Sequence, residues 1–336
     1  MSTEVIPEHV AVIGGGAWGT ALACAARRAG NDVVLWARNA QVVDDINNGI
    51  GNPLYLPDVA LDAGIRATTN MAEALEDAFA ILLVVPSQHM RDVIAPVADF
   101  CAGRPVALCS KGVERSTGML MSEVAEACLP DAEVAVLSGP TFAREVALGL
   151  PTAVTLAAEK TWVQDAVLKA VGLPTFRPYV TDDVIGAEVG GAVKNVLAIA
   201  CGIVTGRELG ENARAALVTR GLAEVMRLSE KLGGRAETIM GLSGMGDLTL
   251  TCNSPQSRNM SFGIELGKGR SVQEILDERR AVTEGVWSAE SVTALARKHG
   301  VEMPICEAVN AIVTGNADID ATIQTLLNRP FRAEGA

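Results

Sequence analysis

Short runs of consecutive apolar residues alternate with helix-like stretches over the first half of the chain. The first two runs are residues 10–13 and 32–37, and residues 20–29 between them have helical spacing, which predicts a βαβ unit. Asn70, with Glu73 three residues later, has the spacing of a capping box and predicts a helix start. Further strands are predicted at 65–68, 79–85, 106–109, 134–137 and 153–157. Because the runs are continuous rather than alternating, we expect a doubly wound, parallel α/β sheet covered on both faces.

The pattern changes near residue 183. Helical spacing then dominates, with Gly, Pro and Asn between the segments, and no later run predicts a strand. The predicted helices are 184–204, 211–232, 258–267, 271–279, 286–299, 304–314 and 318–328. We therefore predict a sheet domain over residues 1–189 and a mostly α-helical domain over residues 190–336.

Composition places the chain among globular proteins and excludes some partners. Its 336 residues are 49% hydrophobic and 20% charged, and its net charge is −12. An acidic protein of this kind repels nucleic acid and anionic membrane surfaces, so we expect neither as a partner. The N-terminus does not have the pattern of a signal peptide, and no run approaches roughly 18 uninterrupted apolar residues, so we predict no membrane span.

Cysteine and histidine usage narrows the chemistry. The seven cysteines are scattered without a CxxC pair, which is typical of a reducing cytoplasm and predicts a cytoplasmic protein. The three histidines have no metal-site spacing and no evident serine partner. We therefore expect no metal and no Ser/His/Asp hydrolysis.

A glycine motif follows the first predicted strand. Gly14, Gly16 and Gly19 form a GxGxxG pattern at the start of a helix, the context in which this motif binds a dinucleotide pyrophosphate. The second strand does not end in the acidic residue that would bind a ribose 2′-hydroxyl, because Asp32 lies at its start. Arg38 follows its end and favours NADP over NAD, unless it is a solvated loop charge.

Two features predict an anionic substrate and a proton donor. Lys111 follows the fifth predicted strand, where ligands of open α/β sheets bind. Lys194 is the one cation on a helical stripe of otherwise small residues, namely Ala187, Gly190, Gly191, Ala198, Cys201 and Gly202. A lysine there can protonate a carbonyl oxygen as hydride reaches the carbon. Alternatively, the glycines permit close helix packing and Lys194 extends towards solvent.

Several motifs carry a resemblance to a known family. They are GGGAWGT at 14–20, SKG at 110–112, SGPTFA at 138–143, GGAVKNV at 190–196, GLSGMGDLTLTCNSPQSRN at 241–259 and TEG at 283–285. In these motifs and in their order along the chain, the sequence resembles NAD(P)-dependent glycerol-3-phosphate dehydrogenases of the bacterial type. The resemblance implies a Rossmann-like domain and a homodimer. It also implies reversible reduction of dihydroxyacetone phosphate to sn-glycerol 3-phosphate, a phospholipid precursor.

The resemblance also implies roles for individual residues. Lys194 and Asp247 match the catalytic positions, where Asp247 holds the Lys194 ammonium. The substrate positions are Lys111, Gly139, Thr141, Lys194, Asp247, Ser257, Arg258 and Asn259. The cofactor positions are Gly14, Gly16, Ala17, Trp18, Gly19, Arg38, Lys111, Ala143, Arg258, Val282 and Glu284. Ser257 is expected to cap a helix whose amides, with Arg258, meet the phosphate, although Arg258 alone would also read as a surface charge.

Two other functions remain open on sequence grounds. One is a two-domain dehydrogenase acting on a hydroxy acid, although such enzymes typically carry an asparagine four residues after the lysine, where this chain has Ala198. The other is a dinucleotide sensor that has lost its chemistry. The presence of Lys194, Asp247 and Arg258 disfavours the sensor.

Overall fold

The computed structural model describes residues 8–278 and 284–330, which form two compact units. The first comprises the residues up to Lys111 together with Met121–Val184, and the second comprises Gly112–Leu120 together with the residues from Ile185 onward. These units differ from the predicted domains 1–189 and 190–336. They divide between Val184 and Ile185, and the second unit includes a short segment from the middle of the sheet region.

The first unit is built on one eight-stranded sheet of order β3-β2-β1-β4-β5-β6-β7-β8. Every neighbouring pair is parallel except β6 and β7, which are antiparallel. The strands are β1 His9–Ile13, β2 Asp32–Trp36, β3 Ile65–Thr68, β4 Ala78–Leu83, β5 Pro105–Leu108, β6 Glu133–Ser138, β7 Thr152–Ala157 and β8 Phe176–Thr181. The helices are α1 Ala17–Arg28, α2 Ala40–Asn47, α3 Met71–Leu75, α4 Met90–Ile94, α5 Ala98–Cys101, α6 Met121–Cys128, α7 Ala143–Ala147 and α8 Thr161–Val171. The predicted doubly wound fold is confirmed.

The last strand, β8, is one that the sequence pattern missed. It pairs in parallel with β7 at the edge of the sheet. Arg177, Tyr179 and Val180 are exposed, and Pro178 interrupts the run. An edge strand needs no continuous apolar run and tolerates proline, so the signal that revealed the buried strands is absent here.

The predicted cap at Asn70 is confirmed, but the capping box is wrong. The Asn70 side chain accepts a hydrogen bond from the Ala72 amide at 3.1 Å. Glu73 accepts instead from the Thr68 hydroxyl at 2.7 Å, and the Asn70 amide also donates to that hydroxyl. Thr68 therefore takes the place that a reciprocal box would give to Glu73.

The second unit is helical. Its helices are α9 Val184–Gly206, α10 Glu211–Leu232, α11 Ala236–Met240, α12 Asp247–Asn253, α13 Arg258–Gly267, α14 Val272–Glu278, α15 Glu284–Lys298, α16 Pro304–Val313 and α17 Ile319–Leu327. A π-helical segment, Leu242–Gly246, leads directly into α12. The prediction missed α11, this segment and α12, because glycine is frequent there and none of the three is long enough to show helical periodicity. Among the described residues of this unit, strand-like pairing is limited to one bridge between Val113 and Leu120.

The long helix α9 forms the core of the second unit. It is long and apolar enough to cross a membrane by length and composition alone, yet 89% of its most apolar stretch is buried inside the protein. It packs closely against α13 through four glycines. A Cβ atom on Gly202 would lie 2.2 Å from the Met260 carbonyl oxygen, and one on Gly263 would lie 2.1 Å from that of Ile199. Gly206 and Gly267 repeat this contact one turn further along.

One buried carboxyl group stands out in the core. Glu224 on α10 is 1% exposed and accepts hydrogen bonds from the amides of Ile305 at 2.7 Å and Cys306 at 3.2 Å, at the start of α16. Burial raises its pKa from 4.5 to about 7, although the two amides oppose this shift. The folded protein therefore binds a proton here that the unfolded chain releases at lower pH.

We predict that Glu224 makes the protein less stable as the pH rises. Its contribution is fully present below pH 4.5 and is lost as the pH rises through 7. The loss amounts to about 3 kcal/mol, from the size of the pKa shift. Urea unfolding of the wild type and Glu224→Gln between pH 4.5 and 8 measures it. Glu224→Gln is expected to be less stable at low pH but to show a flatter pH dependence, and parallel profiles would contradict the assignment.

Candidate functional site

The glycine motif forms a tight turn between β1 and α1. Gly14 has φ of +132°, and a Cβ atom there would lie 2.6 Å from the carbonyl oxygen of Val84. A Cβ atom on Gly19 would lie 1.8 Å from the carbonyl oxygen of Gly14. The turn and the close approach of helix to strand that the motif predicts are both present.

Gly16 differs from its two neighbours in the motif. It precedes α1, and a Cβ atom there would meet no other atom within 4 Å. Ala17 and Trp18 open the helix, and its first turn carries no acidic side chain. The amides and the positive end of the helix dipole therefore lie beside open space, which fits the pyrophosphate of a dinucleotide.

The end of β2 has the charge arrangement that the sequence predicts. Arg38 is exposed just after the strand, and Asn39 caps α2 by accepting from the Gln41 amide at 2.9 Å. Asp32 lies at the opposite end of β2 and forms an ion pair with Arg27 at 2.9 Å. The carboxyl end of β2 therefore has a cation beside it where a 2′-hydroxyl-binding protein would have a carboxylate.

Lys111, Gly139 and Thr141 come together at the carboxyl edge of the sheet. Lys111 Nζ donates to the Gly139 carbonyl oxygen at 3.1 Å, and the Thr141 hydroxyl donates to the same oxygen at 3.3 Å. A Cβ atom on Gly139 would lie 2.9 Å from Val154 Cα, so this position requires glycine. Ala143 begins α7 immediately after this turn and is half-buried. The edge thus places a cation and a hydroxyl on the main-chain oxygen of a buried glycine.

Lys194 and Asp247 form a buried ion pair in the second unit. Lys194 Nζ lies 2.5 Å from Asp247 Oδ1 and 3.2 Å from the Thr251 hydroxyl oxygen. The Lys194 side chain is 10% exposed and that of Asp247 is 1% exposed. The Thr251 hydroxyl donates to the main-chain oxygen of Asp247 at 2.6 Å, one helical turn away. Lys194 therefore does not extend towards solvent, and its ammonium is held in a fixed position.

Gly190 explains why the ion pair can form. A Cβ atom on Gly190 would lie 2.5 Å from the carbonyl oxygen of Ser243 and 3.0 Å from Gly244 Cα. The glycine lets α9 approach the backbone of the π-helical segment that leads into Asp247. The sequence left open whether the glycines serve helix packing or a ligand, and for Gly190 the structure shows packing.

The start of α13 presents the predicted phosphate-binding segment. Ser257 caps the helix by accepting a hydrogen bond from the Met260 amide at 3.2 Å, as expected. Arg258 is the first helical residue and is exposed. Capping one amide of the first turn leaves this helix end with the positive character that binds anions.

The side chain of Asn259 makes hydrogen bonds inside the helical unit. It is buried, and its Nδ2 donates to Asn195 Oδ1 at 2.9 Å. Its Oδ1 accepts from the Gly285 amide at 2.9 Å. The amide thus joins α13 to α9 and to the start of α15, and the expected contact of this residue with a phosphate stays a prediction.

One expected cofactor residue lies at the start of α15. Glu284 is the first residue of the helix and is half-buried, next to the Gly285 amide that Asn259 holds. Val282 lies outside the described residues. Within the described ranges, no three His, Cys, Asp or Glu side chains are grouped so that they could hold a metal ion.

The comparison with known proteins agrees with this arrangement. The model of the NAD-dependent glycerol-3-phosphate dehydrogenase N-terminus matches residues 9–163, and that of the C-terminus matches residues 183–324. The chain belongs to the NAD-dependent glycerol-3-phosphate dehydrogenase family. The resemblance noted in the sequence is therefore confirmed.

Individual members of the family match over their full length. Glycerol-3-phosphate dehydrogenase [NAD(P)+] of Parvibaculum lavamentivorans is 59% identical over 97% of this chain and 98% of its own. The corresponding protein of Rhodospirillum rubrum is 56% identical over 98% of this chain and 95% of its own. The crystal structure of glycerol-3-phosphate dehydrogenase from Coxiella burnetii has a TM-score of 0.92 at 40% identity, covering 96% of this chain and 99% of that one.

Sequence reasoning missed three polar residues around these sites. Thr251 lies four residues after Asp247, a spacing that places both on one helix face, so the signal was present. Asn195 follows Lys194 directly but bonds across to Asn259, a pairing that no local pattern reveals. Asn52 bonds to the glycine turn from a segment far along the chain, and nothing in its neighbourhood marks it.

Proposed function

We propose that this protein catalyses the NAD(P)-dependent, reversible reduction of dihydroxyacetone phosphate to sn-glycerol 3-phosphate. Its family membership and its full-length relatives support this reaction over a hydroxy-acid dehydrogenase or a sensor without chemistry. The observation that carries the proposal is the buried pair of Lys194 and Asp247 with Thr251 beside it. A protein that only sensed a dinucleotide would have no use for a desolvated lysine.

In this proposal Lys194 is the general acid and base. Its Nζ donates a proton to the carbonyl oxygen of the substrate during reduction and takes one from the hydroxyl in the reverse reaction. Asp247 and Thr251 each bind that nitrogen, so they hold it in a fixed position. The reduced nicotinamide supplies the hydride that the carbonyl carbon receives.

The start of α13 is the proposed binding site of the substrate phosphate. Ser257 caps the helix, Arg258 provides a guanidinium that can bind phosphate with two hydrogen bonds, and Asn259 contributes its main-chain amide. The chain carries a net charge of −12, so the anion must be attracted by such local cations. The family resemblance also assigns Lys111, Gly139 and Thr141 to the substrate, and in the first unit these three are hydrogen-bonded to one another.

The glycine turn and the strand ends around it are the proposed binding site of the cofactor. The open space at Gly16 and the first amides of α1 fit the pyrophosphate, with Gly14 in the turn and Ala17, Trp18 and Gly19 in the first residues of the helix. Ala143, Arg258, Val282 and Glu284 are the remaining positions that the family resemblance assigns to the cofactor. Arg38 favours NADP, because a guanidinium can bind the 2′-phosphate that distinguishes it from NAD.

The setting of the reaction is part of the proposal. The cysteines that the structure describes are free thiols, which is typical of a reducing compartment and supports a cytoplasmic location. The product, a glycerol phosphate, is the backbone on which phospholipids are built. As the family resemblance implies, we expect the working form to be a homodimer.

An assay of the purified protein tests the reaction. Absorbance at the nicotinamide band is followed with NADPH, and separately with NADH, in the presence of dihydroxyacetone phosphate. Oxidation of the reduced cofactor is expected only with the phosphorylated ketone, because the basic groups of the site bind the substrate through its phosphate. Unphosphorylated dihydroxyacetone is the control. Cofactor binding without turnover on the phosphorylated ketone would point instead to a hydroxy-acid substrate or a sensor.

We predict that Lys194→Ala lowers turnover by at least about a hundredfold, because it removes the proton donor. Binding of NADPH, measured by fluorescence titration, is expected to persist. The substitution removes the Lys194 ammonium from the buried Asp247 carboxylate, and breaking a buried ion pair destabilises a fold by about 3 to 5 kcal/mol. The double variant Lys194→Met with Asp247→Asn removes both charges and serves as the stable form. Wild-type turnover in either variant would exclude Lys194 from the chemistry.

We predict that Arg38→Ala weakens NADPH more than NADH. The expected loss is about tenfold for NADPH, from one charge-assisted contact to the 2′-phosphate, and less than twofold for NADH. Dissociation constants of both cofactors check this. Arg66→Ala is a control that removes another exposed cation from the same unit. Equal losses of the two cofactors would mean that the 2′-phosphate is bound elsewhere.

A further inference from the structure

Asn52 is a buried polar residue in the segment between α2 and β3. It is 1% exposed, and its main-chain oxygen accepts hydrogen bonds from the amides of Tyr55 at 3.3 Å and Leu56 at 2.8 Å. The residue therefore sits at the start of a closed turn. These main-chain hydrogen bonds fix the backbone of Asn52 and so limit the movement of its side chain.

The side-chain amide of Asn52 binds the glycine turn. Its Nδ2 donates to the main-chain oxygen of Gly15 at 3.0 Å and to the hydroxyl oxygen of Thr20, in the first turns of α1, at 2.8 Å. Its Oδ1 has no hydrogen-bond partner within the described part of the chain. If the side-chain amide were flipped, Oδ1 would face the Gly15 oxygen, and two acceptors form no hydrogen bond. The nitrogen therefore faces Gly15 and Thr20, and its two hydrogens are used in these two bonds.

Fixing the Gly15 oxygen also fixes the next amide. The peptide between Gly15 and Gly16 is trans, so its carbonyl and its N–H point in opposite directions. With the oxygen held by Asn52 in the interior, the N–H of Gly16 points away from it. A Cβ atom on Gly15 would lie 2.5 Å from that of Ala37, so the backbone of the turn packs closely against the end of β2.

We propose that Asn52 is a positioning residue for the dinucleotide, acting through the Gly15–Gly16 peptide. It holds the Gly16 amide towards the open space at the start of α1, so that this N–H meets the pyrophosphate without reorienting on binding. The inference rests on the proposed function, since it requires a dinucleotide in that space. Asn52 itself touches no ligand.

Binding measurements on Asn52→Ala test this role. Isothermal titration with NADPH, NADH and ADP-ribose is expected to show the same loss for all three, about tenfold in dissociation constant, because they share the pyrophosphate. Turnover at saturating cofactor is expected to stay within twofold of wild type. If Asn52→Ala does not fold, Asn52→Leu replaces it, because this side chain of similar size has no hydrogen-bond donor for the Gly15 oxygen.

Two controls separate positioning from general stability. Asn47→Ala removes an amide that makes the same kind of bonds to the backbone of β3, donating to the Ala67 oxygen and accepting from its amide, both at 2.9 Å. It is expected to lower the melting temperature without changing cofactor affinity. Thr20→Val removes the second Asn52 contact and keeps the first, and is expected to leave affinity within twofold.

The outcomes distinguish this inference from the proposed function. If the wild type binds none of the three dinucleotides, the proposed function fails. If the wild type binds them and Asn52→Ala binds equally well, only the positioning role fails. A loss confined to NADPH, or an equal loss in Thr20→Val or Asn47→Ala, would also overturn the positioning role.

Discussion

The buried ion pair between Lys194 and Asp247 fixes the position of the Lys194 ammonium inside the helical unit. Removing two charges from water costs several kcal/mol for each, and their attraction compensates only when they are close and otherwise hydrogen-bonded. Here the nitrogen and oxygen are 2.5 Å apart, the nitrogen also donates to the Thr251 hydroxyl, and that hydroxyl donates to the main-chain oxygen of Asp247. Replacing a buried ion pair with apolar residues is often neutral or stabilising. Stability alone therefore does not explain the pair, which agrees with the proposed role of Lys194.

Close backbone contact at glycines makes this geometry possible in both units. Gly190 allows α9 to touch the segment before Asp247, and Gly202 and Gly263 allow α9 and α13 to touch further along. In the first unit, Gly19 packs on Gly14 in the same manner. Each helix-interior glycine costs about 1 kcal/mol relative to alanine. In return, backbones that touch directly have little freedom to shift, so the side chains they carry keep their relative positions.

Much of this arrangement could be predicted from the sequence, because its signals are local. Buried strands appear as apolar runs, and Gly14, Gly16 and Gly19 mark the cofactor turn by spacing alone. Long helices such as α10 and α13 were placed correctly by periodicity. The edge strand β8 gives no signal because it is exposed and has no continuous apolar run. The helices between residues 236 and 253 give none because each has seven residues or fewer, too few to show a helical period of apolar residues. Sequence patterns do not reveal Asn52 and Asn195, because each forms its hydrogen bond with a residue far away in the sequence.

The roles of Asn259 show where a family resemblance also reaches its limit. The motif places this residue at the phosphate, and the helix start that it occupies has the right character for an anion. Its side chain nevertheless bonds to Asn195 on one side and to the Gly285 amide on the other. Asn195 adjoins Lys194 and Gly285 adjoins Glu284, so this amide connects the elements that carry the proposed proton donor and the expected cofactor contact. A motif thus names the residue, and only its hydrogen-bond partners show what its side chain does in the fold.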